Sequence, residues 1–374
     1  MESIHKKILS QIDEGEIVKL AKDLIKIKSF QGYESEVAYF LERLMKKNGL
    51  EVEMQEVEKG RFQAIGWLRG SGEGPSVAFN GHTDIDPVPL GYSRDPFTPY
   101  EEDGKLYGHG IENMKAGVTA NIMAAIAIKR AGVHLKGDII VENVVGELQG
   151  GVGTYYTIER GIIPDYTIVT EPTNLYIRTK HAGVVQFLVS TIGVARWIGI
   201  LDKVHPTLGK AVNAIEKMLK VVETLKKVKL THDPKNVHVP GLPKMIIGGI
   251  IGGQGREYNL TRPSVSPDFC TISVDVRMIP GMTVESVRGD IETALEELRR
   301  EDPDLSYEIE GPPNTNKPPW RAMKLVMPPV NLPDDEYLVQ LVRKNHRLVT
   351  GRDVKKIGVI IEDGFCSSYA GNDA

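Results

Sequence analysis

Apolar residues recur at helical spacing through Glu16-Ile-Val-Lys-Leu-Ala-Lys-Asp-Leu-Ile-Lys-Ile and again over 34–48, beyond the break at Gly32. Both stretches predict amphipathic helices. Short apolar runs at 51–57, 62–68, 76–79, 138–145 and 166–170 predict strands. Helical patterns at about 114–131 and 151–161 separate the last three runs. Strands alternating with helices imply βαβ units and a largely parallel central sheet. In such sheets functional groups collect on the loops beyond the carboxyl ends of the strands. His82, Glu147 and Glu171 each follow a predicted strand.

From about residue 184 the pattern changes. A strand (184–192), a helix (207–225), two strands (245–253 and 269–277), a helix (284–300) and a last strand (305–309) predict a β-α-β-β-α-β unit of the ferredoxin-like kind. The Pro/Asn/Lys-rich stretch 311–319 reads as a linker. The expected organisation is an α/β domain of 1–183 and 312–374, interrupted by an inserted domain at 184–311.

The chain has 374 residues, too many for one comfortable core, so two domains suit its length. Its 41% hydrophobic and 26% charged residues are those of a soluble globular protein. A net charge of −4 argues against a nucleic-acid partner. Lys217, Lys220, Lys226, Lys227 and Lys229 read as a solvated face. Cys270 and Cys366 make no disulfide framework, which suits a reducing cytoplasm. The opening Met1-Glu-Ser-Ile-His reads as the lead into an amphipathic helix, not as a signal peptide, and the apolar helix at 118–128 reads as buried core, too short for a membrane span. The expectation is a cytoplasmic protein with no membrane partner.

The chemistry centres on His82-Thr-Asp84, just after the apolar run Pro75–Asn80. A strand-end imidazole can ligate a metal while a nearby carboxylate orients it. Glu147 stands close to Gly150-Gly151, which permit close backbone approach, and Glu171 precedes Pro172.

Taken in order, Gly-His-Thr-Asp (81–84), Leu-Tyr-Gly-His-Gly (106–110), Asn-Met-Lys-Ala-Gly (113–117), Gly-Glu-Leu-Gln-Gly-Gly-Val-Gly-Thr (146–154) and Glu-Pro-Thr (171–173) resemble the acetylornithine deacetylases, succinyl-diaminopimelate desuccinylases, aminoacylases and zinc carboxypeptidases. Gly-Lys-Ala-Val-Asn-Ala-Ile (209–215), Asn259 and Asp-Val-Arg (275–277) add to the likeness. The resemblance implies a zinc-aminopeptidase-like α/β domain with an inserted lid and dimerisation domain, assembled as a homodimer through that insert. It implies metal-dependent hydrolysis of an N-acyl amino acid, as in acetylornithine deacetylase, or of a dipeptide or other small peptide. Zinc would be the cofactor, with cobalt or manganese as substitutes. On the matching positions, His82 and Glu171 would hold one metal, Asp84 would orient His82, and Glu147 would be the general base. Arg277, Asn259 and Gly371 would bind the substrate.

This sequence also departs from the family pattern. Asn113 stands at the bridging Asp, where a neutral amide is a weak ligand. Leu148 stands where a second-metal Glu belongs, and Trp197 where the insert offers a His; His205 is the nearby substitute. The chain ends at Gly371-Asn-Asp-Ala374, where the family continues to a last ligand His, so a fragment or a missing ligand is expected. One metal ion is therefore expected rather than two. The alternatives are a homologue that binds a small ligand or partner without hydrolysis, and a site rebuilt from Asp86, His109 or His205.

Overall fold

The computed structural model describes residues 2–207, 209–312, 325–362 and 367–371. They form two compact units, one comprising Met1–Ile177 and Asp334–Ser367, the other Arg178–Pro333 and Ser368–Gly371. The second unit takes in more chain than the expected 184–311. The short strand Ile177–His181 pairs with Val330–Asn331, which adds residues at both ends of the insert. Of the expected linker, residues 313–319 lie outside the described residues, as do Cys366 and Asn372–Ala374.

In the first unit, strands β1 (Glu51–Glu58), β2 (Arg61–Leu68), β3 (Val77–His82), β4 (Ile139–Val144) and β5 (Tyr166–Val169) form one sheet in the order β1-β2-β4-β3-β5. β3 runs parallel to β4, from Val77↔Ile139 to His82↔Val144, and parallel to β5. The other two pairings, β1 with β2 and β2 with β4, are antiparallel. The sheet is thus mixed, which corrects the largely parallel expectation. The reason is local: only Lys59 and Gly60 join β1 to β2, with Gly60 at φ +74°. So short a connection allows an antiparallel neighbour and no crossover.

Helices α1 (Glu2–Leu9), α2 (Glu14–Lys26), α3 (Ser35–Lys47), α4 (Ala116–Arg130) and α5 (Val152–Glu159) accompany this sheet. Asp13 caps α2 by accepting from Glu16 N at 2.9 Å. Leu20 and Leu24 of α2, Leu41 and Met45 of α3, and Ile122 and Ile126 of α4 pack on Ala64, Leu68 and Val141 of the sheet. Leu41 is fully buried; its truncation to Ala should cost about 2–5 kcal/mol. The start of α4 lies so close to the end of β5 that a Cβ on Gly117 would sit 2.3 Å from the Thr170 carbonyl oxygen. Only glycine fits there.

The second unit has strands β6 (Gly183–Ile192), β7 (Lys244–Gly253), β8 (Phe269–Met278) and β9 (Ser306–Glu310) in the order β7-β8-β6-β9. All three pairings are antiparallel. With α6 (Ala214–Leu225) and α7 (Val284–Glu301) this is the expected ferredoxin-like order. Helix α6 begins at 214, not 207, because Asn213 is its cap, accepting from Ile215 N and Glu216 N. Helix α8 (Tyr337–Thr350) belongs to the first unit. Among the described residues no helix is long and apolar enough to cross a membrane.

Candidate active site

β3, β4 and β5 are parallel neighbours, so their carboxyl ends share one edge of the sheet. His82 closes β3, Glu147 lies three residues past β4, and Glu171 two residues past β5. His82 is 1% exposed and Glu147 is buried. The Glu171 side chain is 9% exposed.

The imidazole is held at both nitrogens. His82 Nδ1–H donates to the backbone carbonyl of Asp84 at 2.9 Å, which leaves the Nε2 lone pair facing away. Nε2 lies 2.9 Å from Asn113 Oδ1 and 3.4 Å from Glu171 Oε1. Asn113 reaches this point from the turn Ile111–Lys115. Three lone-pair atoms therefore converge, and a proton on Nε2 or a cation between them must relieve their repulsion. The protonation tendency agrees. Burial opposes the imidazolium, but the hydrogen bond and charge of Glu171, with the charges of Asp84 and Glu147, outweigh it and hold His82 well above its ordinary pKa.

The Asp84 carboxylate does not orient His82 in the expected way; its Oδ1 is 3.7 Å from Nδ1. It holds the next loop instead. Oδ1 accepts from Gly146 N at 2.8 Å and Glu147 N at 3.2 Å, and Oδ2 accepts from Leu148 N at 3.1 Å. Gly146, Gly150 and Gly151 all adopt left-handed φ, which lets the loop curl its amides around the fully buried carboxylate. Under the same loop, Gln149 Oε1 accepts from Arg61 Nη1 at 2.6 Å, while Arg61 Nε donates to buried Glu34 at 2.9 Å. Burial pushes the Glu34 carboxyl up, and Arg61 counters it. The sequence reading missed Arg61, Glu34 and Gln149. Glu34 stands just before α3, Arg61 opens β2 and Gln149 sits in the glycine-rich loop, positions where a polar residue is ordinary and marks nothing.

The other candidates are placed as follows. His109 donates through Nε2–H to the Asp86 carbonyl at 2.8 Å, and its Nδ1 accepts from the Tyr92 hydroxyl at 2.8 Å. Both nitrogens are occupied, so His109 is a structural residue, not a substitute ligand. In the second unit, Arg277 Nε donates to Asp275 Oδ1 at 2.7 Å and Nη1 to the Tyr369 carbonyl at 3.3 Å. Asn259 Oδ1 accepts from Thr261 N and Oγ1, closing an exposed turn. Trp197 is half exposed with its ring over Gly199, and exposed His205 accepts from Thr207 N at 3.2 Å. Gly371 is packed so tightly that a Cβ would sit 2.7 Å from Met327 Sδ and from Val184 Cγ2.

A strand-end cluster of imidazole and carboxylates, on an α/β unit joined to a ferredoxin-like insert, defines the class of metal-dependent amide hydrolases. The model of Peptidase family M20/M25/M40 matches residues 78–363, and the chain belongs to that family, whose members hydrolyse amide or peptide bonds. The N-formyl-4-amino-5-aminomethyl-2-methylpyrimidine deformylase of Bacillus subtilis is 26% identical over 316 residues, 80% of this chain and 71% of that protein. An acetylornithine deacetylase of Aliivibrio salmonicida is 31% identical over 260 residues, 68% of this chain and 64% of that protein. The solved YXEP protein of Bacillus subtilis, a dinuclear metal binding peptidase from the M20 family, aligns with a TM-score of 0.56 and 14% identity. That alignment covers 96% of this chain and 84% of YXEP.

Proposed function

We propose that this protein hydrolyses the amide bond of an N-acyl amino acid or small peptide at a site for one metal ion. The observation that carries the reading is the convergence of His82 Nε2, Glu171 Oε1 and Asn113 Oδ1. A tetrahedral ion with bonds of about 2.1 Å spaces its ligands by about 3.4 Å, which the His82–Glu171 separation allows. The donor set is thin. Among the described residues no group of three His, Cys, Asp or Glu side chains could hold an ion, so the third protein donor is the Asn113 amide. A second ion lacks a donor at Leu148, whose isobutyl group cannot ligate. Zinc suits an imidazole-carboxylate pair, with cobalt or manganese as substitutes.

When bound, the ion would polarise the scissile carbonyl and lower the pKa of a water. His82 and Glu171 would hold it, and the Nδ1–H bond to the Asp84 carbonyl fixes the tautomer in which Nε2 carries the ligating lone pair. Glu147 accepts the proton of the attacking water and passes it to the departing amine. Asp84 keeps the Glu147 loop in place. In the second unit Arg277, its fork steadied by Asp275, is the residue suited to the substrate carboxylate. Asn259 lies at the other end of the β7–β8 pair, beside Gly253, and Gly371 is packed against Met327 and Val184, so neither joins it. We further propose a cytoplasmic homodimer assembled through the second unit, where the sheet-edge strand β7 exposes Ile246 and Ile250. Sedimentation should give twice the chain mass.

Glu147→Gln tests the chemistry. It should lower kcat for deacylation at least about a hundredfold with an unchanged melting curve. Turnover equal to the parent would remove Glu147 from the mechanism. The second reading, a homologue that binds without hydrolysis, is favoured by Asn113 and Leu148. Chelator-free protein carrying under about one zinc per ten chains, with no deacylation, would select it.

A further inference from the structure

A cleft of about 610 Å³ lies beside the candidate site, and Asn113 is among the residues that line it. That volume suits one small ligand. The Asn113 amide oxygen is 2.9 Å from His82 Nε2, so a molecule in the cleft that touches Asn113 adjoins the proposed reaction centre.

Tyr92, Tyr100, Tyr107 and His109 line the cleft among charged and small residues. On the hairpin Tyr100–Glu102 and Lys105–Tyr107 the two tyrosines stack at 4.8 Å with their planes 5° apart. The Arg94 guanidinium lies 4.2 Å above Tyr100. The Tyr92 hydroxyl donates to His109 Nδ1, and His109 also stands edge-on to Phe97 at 5.8 Å. The cross-strand tyrosine pair steadies a short hairpin, which explains its presence but not its place beside Asn113. The Arg94 guanidinium also faces Glu102, at 3.6 Å.

We propose that this cleft receives a planar aromatic or heteroaromatic ring carried on the amine side of the scissile amide. Among the amide substrates of that site, those that carry such a ring are then preferred over aliphatic ones such as acetylornithine. Planar rings stack on tyrosine faces and on guanidinium-capped stacks, whereas saturated chains gain only contact area there. The relative from Bacillus subtilis named for a formylated pyrimidine amine fits this chemistry. The inference rests on the amide-hydrolase reading of the adjoining site.

The test is calorimetric. The probe is 4-amino-5-aminomethyl-2-methylpyrimidine, and cyclohexylmethylamine is the non-planar control. The parent protein should bind the pyrimidine at least about tenfold more tightly than the control, equivalent to about 1.4 kcal/mol. Tyr107→Ala and Tyr100→Ala should each erase that preference, while Tyr107→Phe keeps it, with melting curves to confirm folding. Equal affinity for the two amines, or a preference that survives both alanine variants, overturns the proposal. Turnover of the corresponding formamide separates the two readings. Ring preference without turnover upholds the cleft and removes the hydrolase; deacylation of acetylornithine without ring preference does the reverse.

Discussion

Replacing Asp84 by Asn probes the bond set that joins the β3 and β4 loops. In the parent, one carboxylate receives three backbone N–H groups, from Gly146, Glu147 and Leu148. An Asn side chain of the same shape keeps one acceptor oxygen, facing Gly146 and Glu147. Its NH2 then meets the Leu148 N–H, two donors head to head in a site where the side chain is fully buried. An unsatisfied buried N–H costs about 1–3 kcal/mol, and bonds to a neutral oxygen are weaker than those to a charged one. The sum is about 2–3 kcal/mol. Amide hydrogen exchange reads it directly. Protection of Leu148 N–H should fall by about 30-fold or more, since 1.4 kcal/mol is a factor of ten. Urea unfolding should show a loss of similar size with an unchanged slope. Zinc affinity should fall much less than kcat, because the His82 Nδ1 bond goes to the Asp84 backbone, which the substitution keeps. Unchanged Leu148 protection, or a variant that loses metal while retaining Glu147-dependent turnover, would refute this assignment.

Arg61→Ala should destabilise by about 3–5 kcal/mol, because Glu34 would be left fully buried without its cation; chemical denaturation measures it. Asp302 is held at about 2 by hydrogen bonds from Lys217 and Lys220. Its folded value lies below its ordinary one, so its contribution is present above about pH 4 and is lost as pH falls through about 2. Asp302→Asn should therefore cost about 1 kcal/mol at neutral pH and nothing at pH 1.5, as read by urea midpoints, the half-exposed Lys220 limiting the size. Restoring both family donors with Asn113→Asp and Leu148→Glu should raise zinc content above one ion per chain, measured by elemental analysis.

Much of the fold is legible in the residue pattern because strand and helix periods are local. β3, β4 and β5 and the helices between them follow from apolar runs and spacing, and so does the order of elements in the insert. Strand direction was less legible. The runs at 51–57 and 62–68 identify two strands, but only the Lys59-Gly60 turn makes them a hairpin and the sheet mixed. Of the site, His82, Glu147 and Glu171 were findable because strand ends are positions a sequence can mark. The direction in which Asp84 points was not findable. Its partners are backbone amides some sixty residues away, and a backbone N–H carries no sequence signal. The pairing of Arg277 with Asp275 was within reach, since residues two apart on a strand share a face. The late start of α6 was marked by Pro206 and Gly209 ahead of the Asn213 cap, and apolar spacing alone hid it.

The central claim is amide hydrolysis at a site for a single ion held by His82, Glu171 and Asn113. Titrating zinc into chelator-stripped protein, with bound metal and deacylation of a ring-bearing formamide followed together, tests it most directly. The account predicts that activity rises and saturates at about one zinc per chain, and that both signals vanish in His82→Ala. Saturation at two ions per chain, or zinc uptake with no deacylation at any loading, would contradict it.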